Sequence, residues 1–163
     1  MTGQHRTVPE RNLRVDAADN RFQLSGLSHL AVAFSFLRRN KMNAHELHEK
    51  AKQIAETLPG SYPDFPFDPE HLVYRVENKI FLFVSEVHGK RIITLKSDPD
   101  QAMINKSIFS GVQGGYHMNK KHWITIIPDS DVDEGLLKDL IHASYKEVVK
   151  KLPKTKRKLL LDI

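Results

Sequence analysis

Three apolar, β-branched runs stand in close succession: Leu72–Val76, Lys79–Val87 and Arg91–Lys96. Only Glu77-Asn78 separates the first two, and His88-Gly89 turns the chain into the third. Breaks this short leave no room for a crossover helix, so neighbouring strands must pair antiparallel, as a meander. That excludes an all-helical fold and a doubly wound parallel one. Ile80–Val84 is apolar on both sides, with Ile80, Leu82 and Val84 on one and Phe81 and Phe83 on the other. A sheet with helices on one side needs only one apolar face. The second face is therefore expected under a loop, for which the aromatic 62–67 segment is the candidate.

Helical signals flank the meander. Asn43 and Glu46 read as a capping box, and Leu47, Ala51, Ile54, Ala55 and Leu58 recur at helical spacing until Pro59-Gly60. Ser97-Asp98-Pro99 opens a second helix over roughly residues 100–106. Gly111, Gly114 and Gly115 mark an irregular loop, read as a turn that needs positive φ. Trp123–Ile127 is a fourth strand, and its tryptophan is expected to be buried against a long helix through Tyr145 or Ile141. Asp131 with Glu134 reads as another capping box. Leu137, Ile141, Tyr145, Val148 and Leu152 then hold one helix face, and a short basic helix follows Pro153 to Leu161. The expected class is α+β: an antiparallel β-sheet, a three-stranded meander plus a fourth strand, with helices on one face, in the order α-βββ-α-β-α-α.

Charge is unevenly spread over the 163 residues. Formal net charge is +5, but residues 1–41 hold seven Lys/Arg against three Asp/Glu, leaving only +1 for residues 42–163. The overall basicity therefore says little about a nucleic-acid partner for the organised part. Residues 1–22 are polar and without period, and are expected to be disordered. Leu24–Leu37 is apolar and ends at Arg38-Arg39, the wrong flank for a signal peptide. Leu27, Leu30, Ala31, Phe34 and Leu37 fall on one face, as in a membrane-surface helix. The preferred expectation is that 1–41 is a disordered or non-native extension, with Arg38-Arg39 reading as a translated purine-rich ribosome-binding site, and that the domain occupies 42–163. No apolar run approaches the roughly 20 residues that span a bilayer. Cysteine is absent, which removes disulfides, thiolate metal sites and thiol catalysis and fits a cytoplasmic protein.

The residues that bear chemistry cluster just before the fourth strand. His117, Asn119, Lys120, Lys121 and His122 form a compact set of donors suited to phosphate. The alternative is a solvated loop in which the asparagine caps a turn. His117 and His122, five apart, do not share a helix face and have no acid close by, so no metal and no cofactor is expected. Ser107, Ser110 and Ser144 lie in no nucleophile motif, so no catalytic residue is expected either. The glycines lack the Gly-Lys-Ser/Thr ending of a phosphate loop. Lys138, His142, Lys146 and Lys150, each four apart, read as a solvated helix stripe, with Glu134 placed to pair with Lys138 and Glu147 with Lys151. Lys90, Arg91 and Lys96 add cations to the second hairpin, offset by Glu86.

The segment 114–125, Gly-Gly-Tyr-His-Met-Asn-Lys-Lys-His-Trp-Ile-Thr, resembles the signature of the MmcQ/YjbR family. Supporting pieces are Leu58-Pro59-Gly60, Phe67-Asp68-Pro69, Lys79-Ile80-Phe81, Thr94-Leu95-Lys96 with Asp98-Pro99, Ser144-Tyr145, Leu152-Pro153 and Arg157. The likeness covers residues 42–163. It implies a fold also likened to bacterial frataxin and secretion chaperones, and a "double-wing" arrangement proposed to bind DNA. The resulting expectation is a non-enzymatic DNA-binding domain whose contacts come from His117, Asn119, Lys120, Lys121 and His122, with Lys90, Arg91 and Lys96 on a wing. The alternative is a protein-interaction module that uses a strand edge or an apolar helix face.

Overall fold

The computed structural model describes residues 41–161. The expectation for 1–41 thus falls, except for Lys41, outside the described residues. Four helices and six strands follow in order: α1 (Ala44–Glu56), β1 (Ser61–Asp64), β2 (Leu72–Val76), β3 (Lys79–Val87), β4 (Lys90–Lys96), α2 (Pro99–Ile108), β5 (Val112–Gly114), β6 (Trp123–Ile126), α3 (Glu134–Val149) and α4 (Lys154–Leu161). They build an α+β domain on one antiparallel sheet of order β1-β2-β3-β4-β6-β5. The meander and the fourth strand stand where expected. The sheet gains two short edge strands, β1 and β5, that carry no apolar alternation of their own.

The two meander turns are tight because both central residues adopt positive φ: Glu77 (48°) and Asn78 (63°), then His88 (50°) and Gly89 (73°). This type I′ geometry matches the twist of the strands it joins. Asn43 caps α1 through His45 and Glu46, whose carboxylate returns to the Asn43 N–H at 2.9 Å. Asp98 caps α2, with Pro99 next.

At α3 the expected box is replaced. Its cap is Asp133, which accepts the Leu136 N–H at 2.8 Å. Asp131 is instead turned to the α2–β5 loop, where its two oxygens accept the N–H groups of Ser110 and Gly111, each at 2.7 Å. Partial burial pushes the Asp131 carboxyl up, but these donors outweigh it and hold the group below its ordinary range. The anticipated helix pairs also differ: Glu134 meets Lys50 of α1 at 3.1 Å, and Glu147 pairs with Lys150.

The core lies between α1, α3 and one face of the sheet. Tyr74, Leu82, Leu95 and Ile124 form one row across neighbouring strands, and Val84, Ile93, Ile126 and Val112 the next. Phe81 breaks the alternation. Tyr74 pairs with Leu82 and Arg75 with Ile80, so Phe81 is the extra residue of a β-bulge. The bulge turns Phe81 into the helix-side core, against the edge of Tyr145 at 5.6 Å, and not toward the opposite face. Its carbonyl accepts the Ser144 hydroxyl of α3 at 2.6 Å. Tyr145 in turn donates to the Pro59 carbonyl at 2.7 Å.

Two predictions follow from this packing. Ser144→Ala leaves a buried carbonyl unpaired and should cost about 1–3 kcal/mol of unfolding free energy in urea melts. A variant as stable as the parent would show that the bulge needs no partner from α3.

The second concerns pH. His48 donates Nε2–H to the Ile92 carbonyl at 3.1 Å. Burial, opposed by that bond but aided by Arg91 and Lys52, lowers its pKa below the ordinary 6.5. Burial, Lys138 and Lys146 do the same to His142, against Asp139. Both imidazoles gain protons more readily in the unfolded chain, so their contribution is full above pH 6.5 and is lost as pH falls through the folded pKa values. The urea midpoint should drop between pH 7.5 and pH 5, and His48→Gln with His142→Gln should shrink the drop. An unchanged drop in the double variant would assign the pH dependence to other groups.

Candidate functional site

One face of the sheet carries α1 and α3, and the other is roofed by loops. Its floor holds Val73, Phe83, Thr94 and Thr125 in one row, with Ser85 paired to Ile92 farther along. Phe67 of the aromatic loop stacks on Phe83 (centroids 6.3 Å apart, planes at 15°), which meets the expectation for that loop. Phe67 is itself 67% exposed. Trp123 packs its edge against Phe83 at 5.4 Å, and the Lys96 ammonium sits 4.7 Å from the centre of the indole. Trp123 is thus half-buried on the open face, and it does not reach α3. Its place at the start of β6, opposite Lys96, fixes that side. Burial first, then Lys151, lowers the Lys96 pKa, with Glu147 opposing.

The loop 115–122 is tied down by its own backbone. Gly115 N–H donates to the Trp123 carbonyl at 2.9 Å and Tyr116 N–H to Thr125 Oγ1 at 3.0 Å. Asn119 Oδ1 accepts the Lys121 N–H at 3.0 Å, and its carbonyl accepts from both His122 and Trp123. Glycine is required here for proximity, not for positive φ as expected from sequence. A Cβ on Gly115 would lie 2.6 Å from that of Trp123, and one on Gly111 2.1 Å from Ser130 Oγ. Positive φ falls instead on His117, at 51°.

On this frame Lys120 and Lys121 are exposed, the first with its stem along Gly114. His117 is exposed at the rim of the open face, edge-on to Tyr116 at 4.2 Å. His122 is half-buried, and its carbonyl accepts the Ser97 N–H at 2.8 Å. Lys90 and Arg91 begin β4, whereas Lys96 ends it, about 20 Å away at the usual rise of a strand. The eight residues therefore make two groups and not one cluster.

Lys90 and Arg91 lie on a projecting hairpin. β2 stops pairing at Val84 and β6 at Ile93, so residues 85–92 have strand partners only in each other. Arg91 keeps Glu86 at 3.4 Å. A cleft of about 1090 Å³ runs beneath this tip, lined among others by His45, His88, Lys90, Arg91, Glu86 and Asp129. Its charges are mixed.

A smaller groove of about 410 Å³ lies on the open face itself. Phe83, Ser85, Ile92 and Thr94 give its floor, and His71, His117, Met118 and Tyr116 stand around it. Asp68 holds His71 through Nδ1 at 2.7 Å. That hydrogen bond, ahead of the opposing effect of burial, keeps the Asp68 carboxyl below its ordinary range. Sequence reasoning pointed to neither His71 nor Met118 as a lining residue; Asp68 three residues before His71 was the only local sign. Among the described residues no three His, Asp or Glu converge as metal ligands, and no helix is long and apolar enough to cross a membrane.

An antiparallel sheet with two helices on one face and a projecting, weakly basic hairpin defines the class. The YjbR family profile matches residues 56–147, and the chain belongs to that family. It is 44% identical over 117 residues to "Uncharacterized protein YbdF" of Escherichia coli O157:H7, covering 72% of this chain and 96% of that one. It is 32% identical over 111 residues to "Uncharacterized protein YjbR" of Escherichia coli K12, covering 68% and 94%. Among solved structures, Deinococcus radiodurans DR2400, with domain DUF419, superposes with a TM-score of 0.61 at 31% identity over 76% of this chain and 91% of that one. A Pseudomonas syringae protein shares the fold, with a TM-score of 0.54 at 22% identity over 65% and 98%.

Proposed function

We propose that this YjbR-family domain is a non-enzymatic, cytoplasmic nucleic-acid-binding protein whose affinity comes from phosphate contacts. The observation that carries the reading is the placement of Lys120 and Lys121. Both are exposed, on a loop whose backbone is bonded to β6 and to itself, so their direction is fixed without desolvating them. Lys90 on the projecting hairpin adds a further exposed cation, while Arg91 beside it is held by Glu86. Lys96 is engaged by Trp123 and the Asn119 side chain by the loop, which gives them supporting parts, and His122 is half-buried. Phosphate contacts carry no base information, so binding is salt-sensitive and weakly sequence-specific.

A second reading, a protein-interaction module, is favoured by one feature. Met103, Ile104 and Ile108 of α2 are 64%, 44% and 63% exposed, an unusual amount of apolar surface for one short helix.

Lys120→Ala with Lys121→Ala should weaken DNA binding and flatten the log–log salt slope by up to about two units, at roughly 0.9 per phosphate on a duplex. Stability should stay within about 0.5 kcal/mol of the parent, because both side chains are exposed. Fluorescence anisotropy at two salt concentrations reads the first effect and a urea melt the second. Parental affinity and slope in the double variant would remove the loop from the interface and promote α2.

A further inference from the structure

We infer that the groove on the open sheet face receives one unpaired base, and that the nucleic acid bound is single-stranded; this rests on the phosphate-binding reading above. The groove's composition differs from that of its surroundings. Phe83, with Phe67 stacked on it, and Ile92 give an apolar floor, and Ser85 brings a hydroxyl beside them, whereas the Thr94 hydroxyl is bonded to that of Thr125. Two imidazoles stand at the walls. His71 has Nδ1 committed to Asp68, which leaves Nε2 for a partner, and His117 is exposed. Ring nitrogens and hydroxyls both donate and accept, as the edge of a base requires. A volume of about 410 Å³ lies within the range of small-molecule sites and holds a nucleobase with room for its sugar.

The cations are arranged to match. Lys90, Lys120 and Lys121 do not line the groove, but each lies within three residues of one that does, Lys90 after His88 and the two lysines after Met118. An anionic small molecule would draw charges into the pocket. A strand needs an apolar slot for the base and cations outside it for the phosphates on either side. Phe67, exposed and stacked on Phe83 next to the slot, offers a second ring for the neighbouring base. Within a duplex each base is already stacked on both faces and paired at its edge, so the slot stays empty there. His117 holds a positive φ in which an L-residue is strained, on a rim where glycine would relax the backbone.

The test uses the full chain and three fluorescent probes of one length: a mixed-sequence single strand, its duplex, and an abasic single strand with the same phosphates. The parent should prefer the single strand to the other two by about tenfold or more, the worth of one well-stacked base. Phe67→Ala removes an exposed ring, and His117→Gly removes the imidazole while relieving the backbone, so both should fold. Each should lose most of that preference, with affinity for the abasic strand and the duplex unchanged. Equal affinity of the parent for all three probes would overturn the base slot and leave the phosphate reading standing. Loss of abasic binding in His117→Gly would make His117 a phosphate contact and equally overturn the slot. No binding of any probe would defeat both readings. Displacement of the strand by an equal nucleotide concentration of free mononucleotide would overturn the assignment to a strand.

Discussion

Phe81 is left without a register partner on β2, and its carbonyl accepts the Ser144 hydroxyl of α3 within the core. Much of the molecule depends on that contact. A bulge without a partner would leave a buried acceptor unpaired, at a cost comparable to a sizeable part of a small domain's stability. With the partner, the extra residue is tolerated and β3 changes phase at Phe81. Phe81 then enters the helix-side core beside Tyr145, and Phe83 alone of the pair remains on the open side. The bulge thus joins α3 to the centre of the sheet and decides which aromatic ring is presented opposite the helices.

The open face is completed by two loops that make little use of hydrophobic packing. Asp68 organises the first through Glu70 and His71. Asn119, Thr125 and the Trp123 carbonyl organise the second. Asp131 ties the α2–β5 connection that leads into it. These are local hydrogen bonds from short polar side chains to backbone N–H groups, and they fix a loop without covering it. The result is a shallow surface with an aromatic and hydroxyl floor, imidazoles at the walls and lysines beyond. Exposed cations close to it in sequence include Lys90 on the hairpin and Lys120 and Lys121 on the loop.

Elements with strong local signals were legible in the sequence. The meander followed from two-residue breaks between apolar runs, and the helix starts at Asn43 and Asp98 from capping residues. The stacking of the aromatic loop on Phe83 followed from a strand apolar on both sides. What stayed hidden depends on tertiary geometry. A one-residue bulge leaves the composition of β3 unchanged while moving Phe81 to the other side. β1 and β5 are strands only because β2 and β6 offer them open edges. Asp131 and Asp133 are equally good caps, and the reach of Asp131 to Ser110 decides between them. Trp123 opens an apolar strand and was expected against the long helix, but its register opposite Lys96 places it on the loop side. The candidate loop was recognised as a unit of donors. Which donors are spent on the fold depends on their partners, and spacing is silent on that.

The central claim is that the open sheet face, and not a helix, meets the nucleic acid. Mapping of amide chemical shifts during titration of the ¹⁵N-labelled protein with a short single-stranded oligonucleotide tests it most directly. The perturbed amides should fall in 65–71, 83–94 and 115–125, with α1 and α3 silent. Perturbations concentrated on α2 around Met103, Ile104 and Ile108, or along the lysine stripe of α3, would contradict it.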